Sequence, residues 1–313
     1  MHALVFTGAG RVELQNVPPP DAAEDETVVT VRASGICGSE LHGFRTVGMR
    51  VPPLIMGHEF VGTTDAGDRV VINPLISCQS CDSCLRGEPQ VCRTRGLLGV
   101  SRPGGFAETV AVPTGALYPL PLGVGWSAAT LIEPLANAVH AWSARGDGDR
   151  VGVIGAGAIG LVCALVARFH GAEVTVSETS TDRREVAESL GLTVTTALPG
   201  EYDTVFDAVG AQVTRVSAIE RCRPAGTAVW LGLAADDVQL AGNPRRPAGK
   251  ANRRIVCLHA SRFRRRRRSG DHSGPVVDHR RAAVRGGRRF TRWQTENTAI
   301  AKAVIVPDSV VGT

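Results

Sequence analysis

The feature that most constrains the fold of this chain is a glycine-rich turn between an apolar strand and an apolar helix. Residues 151–154 are typical of a buried strand, residues 155–160 read Gly-Ala-Gly-Ala-Ile-Gly, and residues 161–167 are typical of a buried helix. In such a unit the glycines allow a tight turn, a close approach of backbone to a diphosphate, and tight helix packing. The helix N-terminus favours the phosphate charge. We therefore predict a dinucleotide-binding turn at Gly155, Gly157 and Gly160.

The next strand indicates which dinucleotide binds. Residues 173–177 predict a buried strand that ends at Glu178, 18 residues beyond Gly160. An acidic side chain at this place accepts hydrogen bonds from the ribose hydroxyls and repels a 2′-phosphate, which favours NAD over NADP. Arg183 is a candidate for contact with the adenine, and the alternative is an ordinary solvated arginine on a helix.

The spacing of the remaining strands predicts two different architectures in one α/β chain. Residues 204–207 and 227–231 are further buried-strand runs in the alternating pattern of a doubly wound parallel sheet, so we expect a Rossmann domain over residues 146–244. Before it, residues 28–33 and 68–72 are typical of short strands separated by Pro and Gly turns. That pattern predicts a small, irregular β-barrel.

Four cysteines within 15 residues predict a closed metal site. Their spacing is Cys-x2-Cys-x2-Cys-x7-Cys, and they are Cys78, Cys81, Cys84 and Cys92. Four thiolates at this spacing suit a tetrahedral structural zinc ion, and an iron–sulfur cluster is the alternative because thiolates bind both. Since no coordination position stays open, we expect this lobe to order its own loop and to take no part in catalysis.

A second candidate metal site combines three kinds of donor. Cys37 precedes His58 by 21 residues, and Glu59 follows directly. Thiolate, imidazole and carboxylate all bind zinc, and three protein ligands leave one position for water or substrate. Taken singly, Cys37 is as well explained as a small buried side chain and His58 as a hydrogen-bonded core histidine.

Taken in order, these motifs resemble the zinc-dependent medium-chain alcohol dehydrogenase family. The resemblance rests on residues 37–42 (Cys-Gly-Ser-Glu-Leu-His), on Gly57-His58-Glu59, on the four cysteines and on the glycine turn. It implies a GroES-like β-barrel catalytic domain over residues 1–145, completed by residues 298–313. It also implies a catalytic zinc ion on Cys37 and His58, with either Glu59 or Glu133 as the third protein ligand.

Glu133 also suggests a branch of the family. It lies in a segment, residues 127–141, that is predicted to be helical and interrupted at Pro134. A glutamate at this place resembles the butanediol, sorbitol and threonine dehydrogenase-like branch. The implied reaction is transfer of a hydride from a secondary alcohol (a diol, polyol or hydroxy amino acid) to NAD, by a homodimer or homotetramer that holds two zinc ions per chain.

The resemblance assigns roles to further residues. Ser39 would accept the proton of the alcohol and His42 would pass it on towards solvent. Glu40 stands where the family usually has the Asp that orients the zinc-bound histidine. Val209 and Leu233 would line the cofactor.

Residues 245–297 depart from the rest of the chain. They contain 16 Arg and one Lys against three acidic residues, in a chain whose net charge is +5, and only eight Leu, Ile, Val or Phe. Such an apolar content, below roughly 20%, is too low to pack a core, and five consecutive arginines at 264–268 repel one another. We expect an aberrant, poorly ordered segment, as two compensating frameshifts would produce, and an open sheet edge beside it. The resemblance returns at residues 299–307, where it places Lys302 towards the cofactor phosphates.

Two other functions compete with an active dehydrogenase. One is a catalytically impaired family member that keeps its zinc, and the other is nucleic-acid binding through the arginine run. Phe263 is the nearby aromatic residue, so the run offers mainly phosphate contacts, and we expect nucleic acid not to be a partner. No run of 18 apolar residues predicts a membrane span, and the first eight residues lack the basic region of a signal peptide. We therefore expect a cytoplasmic enzyme with a small-molecule alcohol substrate.

Overall fold

The computed structural model describes residues 1–235, 237–240 and 302–307, together with the backbone of residues 254–257. Within these residues the chain divides into two compact units. The first comprises Met1–Glu133 and the described residues from Lys302 on, and the second begins at Pro134. The arginine run at 264–268 lies outside the described residues. None of the described helices is long and apolar enough to cross a membrane.

Short antiparallel strands dominate the first unit, as the sequence predicts for the GroES-like barrel. They are β1 (His2–Gly8), β2 (Arg11–Asn16), β3 (Glu26–Gly35), β4 (Leu54–Ile55), β5 (Glu59–Thr64), β6 (Arg69–Ile72), β7 (Leu75–Ile76), β8 (Gly96–Leu97), β9 (Thr109–Pro113), β10 (Leu117–Pro119) and β17 (Val304–Ile305). The largest sheet has the order β10-β6-β5-β3-β17, and β9 also pairs with β3. Three short helices connect them: α1 (Gly38–Gly43), α2 (Asp82–Leu85) and α3 (Trp126–Ala129).

Strand β3 is the centre of this sheet because it is long and apolar on one face. Its side chains at Val29, Val31 and Ala33 are almost fully buried, which is the period-2 pattern of a strand. Each buried valine contributes about 1.5–3 kcal/mol of hydrophobic stabilisation. Because β3 pairs with both β5 and β17, its carboxyl end brings residues near 35, 59 and 304 together.

The second unit is a parallel sheet with helices between its strands, which confirms the predicted Rossmann architecture. Its strands are β11 (Arg150–Ile154), β12 (Glu173–Ser177), β13 (Thr193–Thr195), β14 (Tyr202–Asp207), β15 (Cys222–Trp230) and β16 (Arg254–Cys257), in the order β13-β12-β11-β14-β15-β16. The helices are α4 (Ile132–Ser143), α5 (Ala158–Phe169), α6 (Thr181–Ser189) and α7 (Gln212–Glu220). The order reverses at β11, and that switch point is where doubly wound sheets bind ligands.

The helical segment around Pro134 is broken at a different residue from the predicted one. Helix α3 ends at Ala129 and α4 begins at Ile132, so Pro134 lies inside the first turn of α4. A proline is tolerated in the first turn because the amide it lacks would have no helical partner there. The break therefore precedes Glu133, which is buried at the start of α4.

Four residues of the arginine-rich segment lie within the described backbone. Arg254–Cys257 pair in parallel with β15 as strand β16, beside the sheet edge that we expected to be open. The expectation that residues 245–297 are poorly ordered stays a prediction. The run Ile255-Val256-Cys257 is apolar and largely β-branched, which suits a strand beside another strand. Strand β15 is therefore not the edge of the sheet.

Candidate active site

Three metal donors converge at the carboxyl end of β3. Cys37 follows that strand and precedes α1, His58 precedes β5, and Glu59 begins β5 opposite Gly35. Their candidate ligand atoms all lie within 4.8 Å of one another. His58 and Glu59 are buried, at 5% and 1% exposure. A thiol, an imidazole and a carboxylate held this close suit zinc, whose protein ligands are these same groups.

Glu40 connects the helix to the histidine. Its carboxylate accepts hydrogen bonds from the backbone N–H of Cys37 at 2.9 Å and of Gly57 at 3.0 Å, and Oε1 lies 2.9 Å from His58 Nδ1. Burial by itself would raise the pKa of Glu40, but the charge of His58 lowers it. Burial would lower the pKa of His58, but Glu40 and Cys37 hold it well above its ordinary value. The longer side chain of glutamate thus makes the contact that the resemblance assigns to Asp.

Lys302 lies in this cluster, although the resemblance placed it towards the cofactor phosphates. Its Nζ forms an ion pair with Glu59 Oε2, and the side chains are only 6% and 1% exposed. Burial would lower the pKa of Lys302, but Glu59 and Cys37 raise it. The pairing of β17 with β3 brings Lys302 here. Gly35 leaves the space, because a Cβ at that position would lie 2.9 Å from Lys302 Cε.

Glu133 is not a member of the group formed by Cys37, His58 and Glu59. It is buried, at 7% exposure, in the first turn of α4. Of the two candidate third ligands, the structure therefore brings Glu59 to the thiol and the imidazole.

Ser39 and His42 lie one turn apart on α1, directly after Cys37. Residues three apart in a helix are neighbours on its surface. Ser39 is half-buried and His42 is exposed, so the pair runs from the metal donors towards solvent. The side chain of Arg50 contacts Ser39 and donates to its carbonyl oxygen at 3.1 Å and to its hydroxyl at 3.5 Å. Sequence reasoning missed Arg50, because no motif marks it.

The four cysteines of the second cluster face one another around a common centre. The described Sγ–Sγ separations are 3.5–3.9 Å, far longer than a disulfide bond. A tetrahedral site with metal–sulfur distances of about 2.3 Å requires sulfur–sulfur separations of about 3.8 Å. Hydrogen bonds from Ser80 lower the pKa of Cys78 to about 5, whereas burial and the neighbouring thiols raise the pKa of Cys84 to about 12, so the support for a metal is the arrangement of the four sulfur atoms. These cysteines therefore fit a structural zinc ion.

Two of the three glycines of the turn are required by close contacts, and the third faces open space. Gly155 has φ +95°, a left-handed conformation, and a Cβ there would lie 2.6 Å from Val209 Cγ2. A Cβ on Gly160 would collide with the carbonyl oxygen of Gly155, whereas a Cβ on Gly157 would enter open space. The open position immediately precedes the first residue of α5, where a diphosphate would approach the helix N-terminus.

Glu178 lies beside this turn and is held as a carboxylate. Oε2 accepts the N–H of Ala156 and Oε1 accepts the N–H of Ser180, both at 2.9 Å. Burial would raise its pKa, but these two hydrogen bonds and the charge of Arg183 lower it. Arg183 itself lies in the first turn of α6.

The two residues expected to line the cofactor follow neighbouring strands. Val209 follows β14 and is the residue nearest to a Cβ at Gly155. Leu233 follows β15 and is 56% exposed. The N–H of Ala234 donates to the carbonyl of Val209 at 3.2 Å, which joins the two loops. Both loops follow the carboxyl ends of parallel strands, where this fold binds ligands.

Comparison with known proteins gives the same two-part division. Residues 23–122 match the family described as alcohol dehydrogenase GroES-like domain, and residues 158–266 match the family described as zinc-binding dehydrogenase. The second match includes the start of the arginine-rich segment, whereas we expected the likeness to end at residue 244.

Individual relatives are dehydrogenases. The chain is 34% identical over 274 residues to D-altritol 5-dehydrogenase of Agrobacterium fabrum, covering 78% of this chain and 80% of that protein. It is 38% identical over 198 residues to L-threonine 3-dehydrogenase of Streptomyces coelicolor, covering 58% of each. A solved structure described as a short chain alcohol dehydrogenase from E. coli CFT073, complexed with NADH, superposes with a TM-score of 0.75 at 27% identity, covering 83% of this chain and 84% of that one.

The chain therefore belongs to the zinc-dependent medium-chain alcohol dehydrogenase family. It is an oxidoreductase of secondary alcohols that uses zinc and a nicotinamide cofactor. Neither a zinc-binding relative without activity nor a nucleic-acid-binding protein is favoured by these likenesses.

Proposed function

We propose that this enzyme reversibly oxidises a secondary alcohol of the polyol, diol or hydroxy amino acid class with NAD. The names of two relatives, an altritol 5-dehydrogenase and a threonine 3-dehydrogenase, each specify a secondary carbinol flanked by further polar groups. The observation that carries the proposal is the convergence of Cys37, His58 and Glu59 beside Ser39. A glutamate at position 133, on α4, resembles the butanediol, sorbitol and threonine dehydrogenase-like branch and supports this substrate class.

We assign the catalytic zinc ion to Cys37, His58 and Glu59. Lys302 pairs with Oε2 of Glu59, so Oε1 is the oxygen left for the metal. Glu133 is the competing ligand. When bound, zinc acts as a Lewis acid that polarises the substrate oxygen and lowers the pKa of the alcohol. A second, structural zinc ion belongs to the four-cysteine lobe, at Cys78, Cys81, Cys84 and Cys92.

The proton of the alcohol leaves through α1 in this proposal. Ser39 accepts it at Oγ, and His42, one turn further on and exposed, passes it to solvent. Glu40 keeps the His58 ring oriented through Nδ1, which leaves the other ring nitrogen for the metal.

We assign NAD to the turn formed by Gly155, Gly157 and Gly160. The Glu178 carboxylate lies beside that turn and is held ionised, so it favours a free ribose 2′-hydroxyl over a 2′-phosphate. We expect Arg183 to contact the adenine, and Val209 and Leu233 to line the cofactor. Glu178 is the feature that chooses NAD over NADP.

The organisation around these sites is part of the proposal. We assign residues 1–145 and 298–313 to the catalytic domain and residues 146–244 to the cofactor domain, and we expect a homodimer or homotetramer. Thiols that bind metal suit a reducing compartment, so we place the enzyme in the cytoplasm.

The test combines metal content with turnover. Purified protein should contain about two zinc ions per chain and reduce NAD with a panel of secondary polyols, vicinal diols and β-hydroxy amino acids. Cys37→Ser should retain the structural zinc ion and lose turnover, and NADP should be a poorer acceptor. Two zinc ions without turnover on any of these alcohols would instead identify an impaired family member. Salt-sensitive binding to DNA would identify a nucleic-acid function of the arginine run.

A further inference from the structure

Arg50 is a buried charge in an otherwise exposed segment. It is 3% exposed, whereas its neighbours Met49 and Val51 are 82% and 66% exposed. Arginine is seldom fully buried unless it is paired. In this segment between α1 and β4, the apolar side chains of Met49 and Val51 face solvent and the guanidinium of Arg50 is buried. Hydrophobicity alone would favour the reverse arrangement. The position of Arg50 therefore depends on its contacts.

Those contacts converge on Ser39. Nη1 donates to the Ser39 carbonyl oxygen at 3.1 Å, Nη2 to the Ser39 hydroxyl at 3.5 Å, and Nε to the carbonyl oxygen of Gly99 at 3.2 Å. The guanidinium thus connects the first turn of α1 to the turn at Gly99. The buried carboxylate of Glu40, next in the chain, carries the opposite charge.

A glycine makes room for this guanidinium. A Cβ at Gly43, the last residue of α1, would collide with Arg50 Nη1. The atom that it would meet is the far end of a flexible side chain, so alanine at 43 would displace the guanidinium and leave the backbone in place. Gly48, in the same segment, has nothing within 4 Å of an added Cβ. The chain therefore offers both a displacing substitution and a matched control.

We propose that Arg50 is a positioning residue that orients the Ser39 hydroxyl for proton transfer. A serine oxygen has two lone pairs and one hydrogen. Arg50 Nη2 donates to one lone pair of Ser39 Oγ. The second lone pair is then aimed to accept the proton of the alcohol, and the Ser39 O–H donates towards His42. The role rests on the proposed function, because Ser39 is its target. Loss of Arg50 would free the side chain to rotate, and small misplacements of reacting groups lower rates by up to about a hundredfold.

The kinetic test uses Arg50→Met, Gly43→Ala and Gly48→Ala in the zinc- and NAD-containing enzyme. We expect Arg50→Met and Gly43→Ala to lower kcat about tenfold to a hundredfold, with the KM for NAD and the zinc content unchanged. Arg50→Lys should recover part of the loss, and Gly48→Ala should match the wild type. In a Ser39→Ala background, Arg50→Met should cause no further loss. Two results would overturn the proposal. One is that Arg50→Met lowers kcat as much in the Ser39→Ala background as in the wild type, and the other is an unchanged kcat in both Arg50→Met and Gly43→Ala.

A second measurement is independent of turnover. The backbone N–H groups of Glu40, Leu41 and Phe44 are hydrogen-bonded within α1. Amide hydrogen exchange at these residues should accelerate in Arg50→Met and Gly43→Ala and stay unchanged in Gly48→Ala. Unchanged exchange in the first two variants would overturn the proposal. If the wild type oxidises none of the alcohols, the proposed function fails, and exchange alone decides whether Arg50 holds Ser39 in place.

Discussion

Glu59 and Lys302 form an ion pair in the interior of the first unit, beside the thiol of Cys37 and the imidazole of His58. Glu59 is the first residue of β5 and Lys302 lies two residues before β17, and both strands pair with β3. Lys302 therefore balances the charge of the carboxylate that we assign to zinc. The pair links the C-terminal strand to the metal site.

Glu59→Gln should lower the zinc content from about two ions per chain to about one, because the third ligand loses its charge. It should also cost roughly 3–5 kcal/mol of unfolding free energy, since Lys302 is left buried and unpaired. Lys302→Met in the same chain should restore most of the stability and none of the zinc. Metal analysis and urea unfolding measure the two effects.

The matched variant is Glu133→Gln, which should retain both zinc ions. If Glu133→Gln loses a zinc ion while Glu59→Gln keeps it, the ligand is Glu133 and our assignment is wrong.

Glu40→Gln should weaken binding of the catalytic zinc ion about tenfold to a hundredfold. Its carboxylate accepts from two backbone N–H groups and contacts His58 Nδ1, and an amide offers only one acceptor oxygen. Competition with a chelator gives the affinity, and the four-cysteine site serves as an internal reference. Glu24→Gln, at an exposed position, is the control. A wild-type affinity in Glu40→Gln would show that His58 needs no such partner.

Glu178→Ser should shift the preference from NAD towards NADP by about tenfold or more, measured as the ratio of kcat/KM values. One favourable contact worth about 1.4 kcal/mol corresponds to a factor of ten. The carboxylate both favours a free 2′-hydroxyl and accepts the N–H of Ala156 in the glycine turn. Glu188→Gln, exposed on α6, should keep the wild-type ratio. An unchanged ratio in Glu178→Ser would mean that another residue selects the dinucleotide.

Asp203→Asn should destabilise the second unit at neutral pH by about 1 kcal/mol, because Arg223 is partly exposed and the pair is screened. Burial by itself would raise the pKa of Asp203, but the Arg223 hydrogen bond and the N–H of Arg150 lower it. Because the pKa of Asp203 is lower in the folded state than in the unfolded state, its carboxylate stabilises the fold at pH values above the unfolded pKa of about 3.9. This contribution is lost as the pH falls through the pKa of the folded state. The difference between wild type and variant should therefore vanish in acid.

Unfolding measured from pH 7 down to acid tests this dependence. Asp65→Asn, at an exposed turn, should show no such convergence. A difference between wild type and Asp203→Asn that grows as the pH falls would contradict the assignment.

The features that sequence alone predicted are those whose residues are close together in the chain. The four cysteines span 15 residues, and the glycine turn, its strand and its helix are consecutive, so their spacing already encodes the geometry that zinc or a diphosphate requires. The alternation of strands and helices likewise predicted the parallel sheet of the second unit. The pattern was wrong about the helix break near Pro134, because the first turn of a helix tolerates a proline.

The catalytic cluster depended on tertiary structure. Its residues lie in or beside strand ends, and the pairing of β5 and β17 with β3 brought Glu59 and Lys302 to Cys37 and His58. The resemblance placed Lys302 towards the cofactor phosphates and did not mark Arg50, and the fold instead buried each charge against a specific partner. A buried charge must be compensated by whichever residue the fold brings near it, and sequence spacing carries no record of that contact. The amino-acid sequence therefore determined the kind of chemistry, while the tertiary structure decided which side chains arrange it.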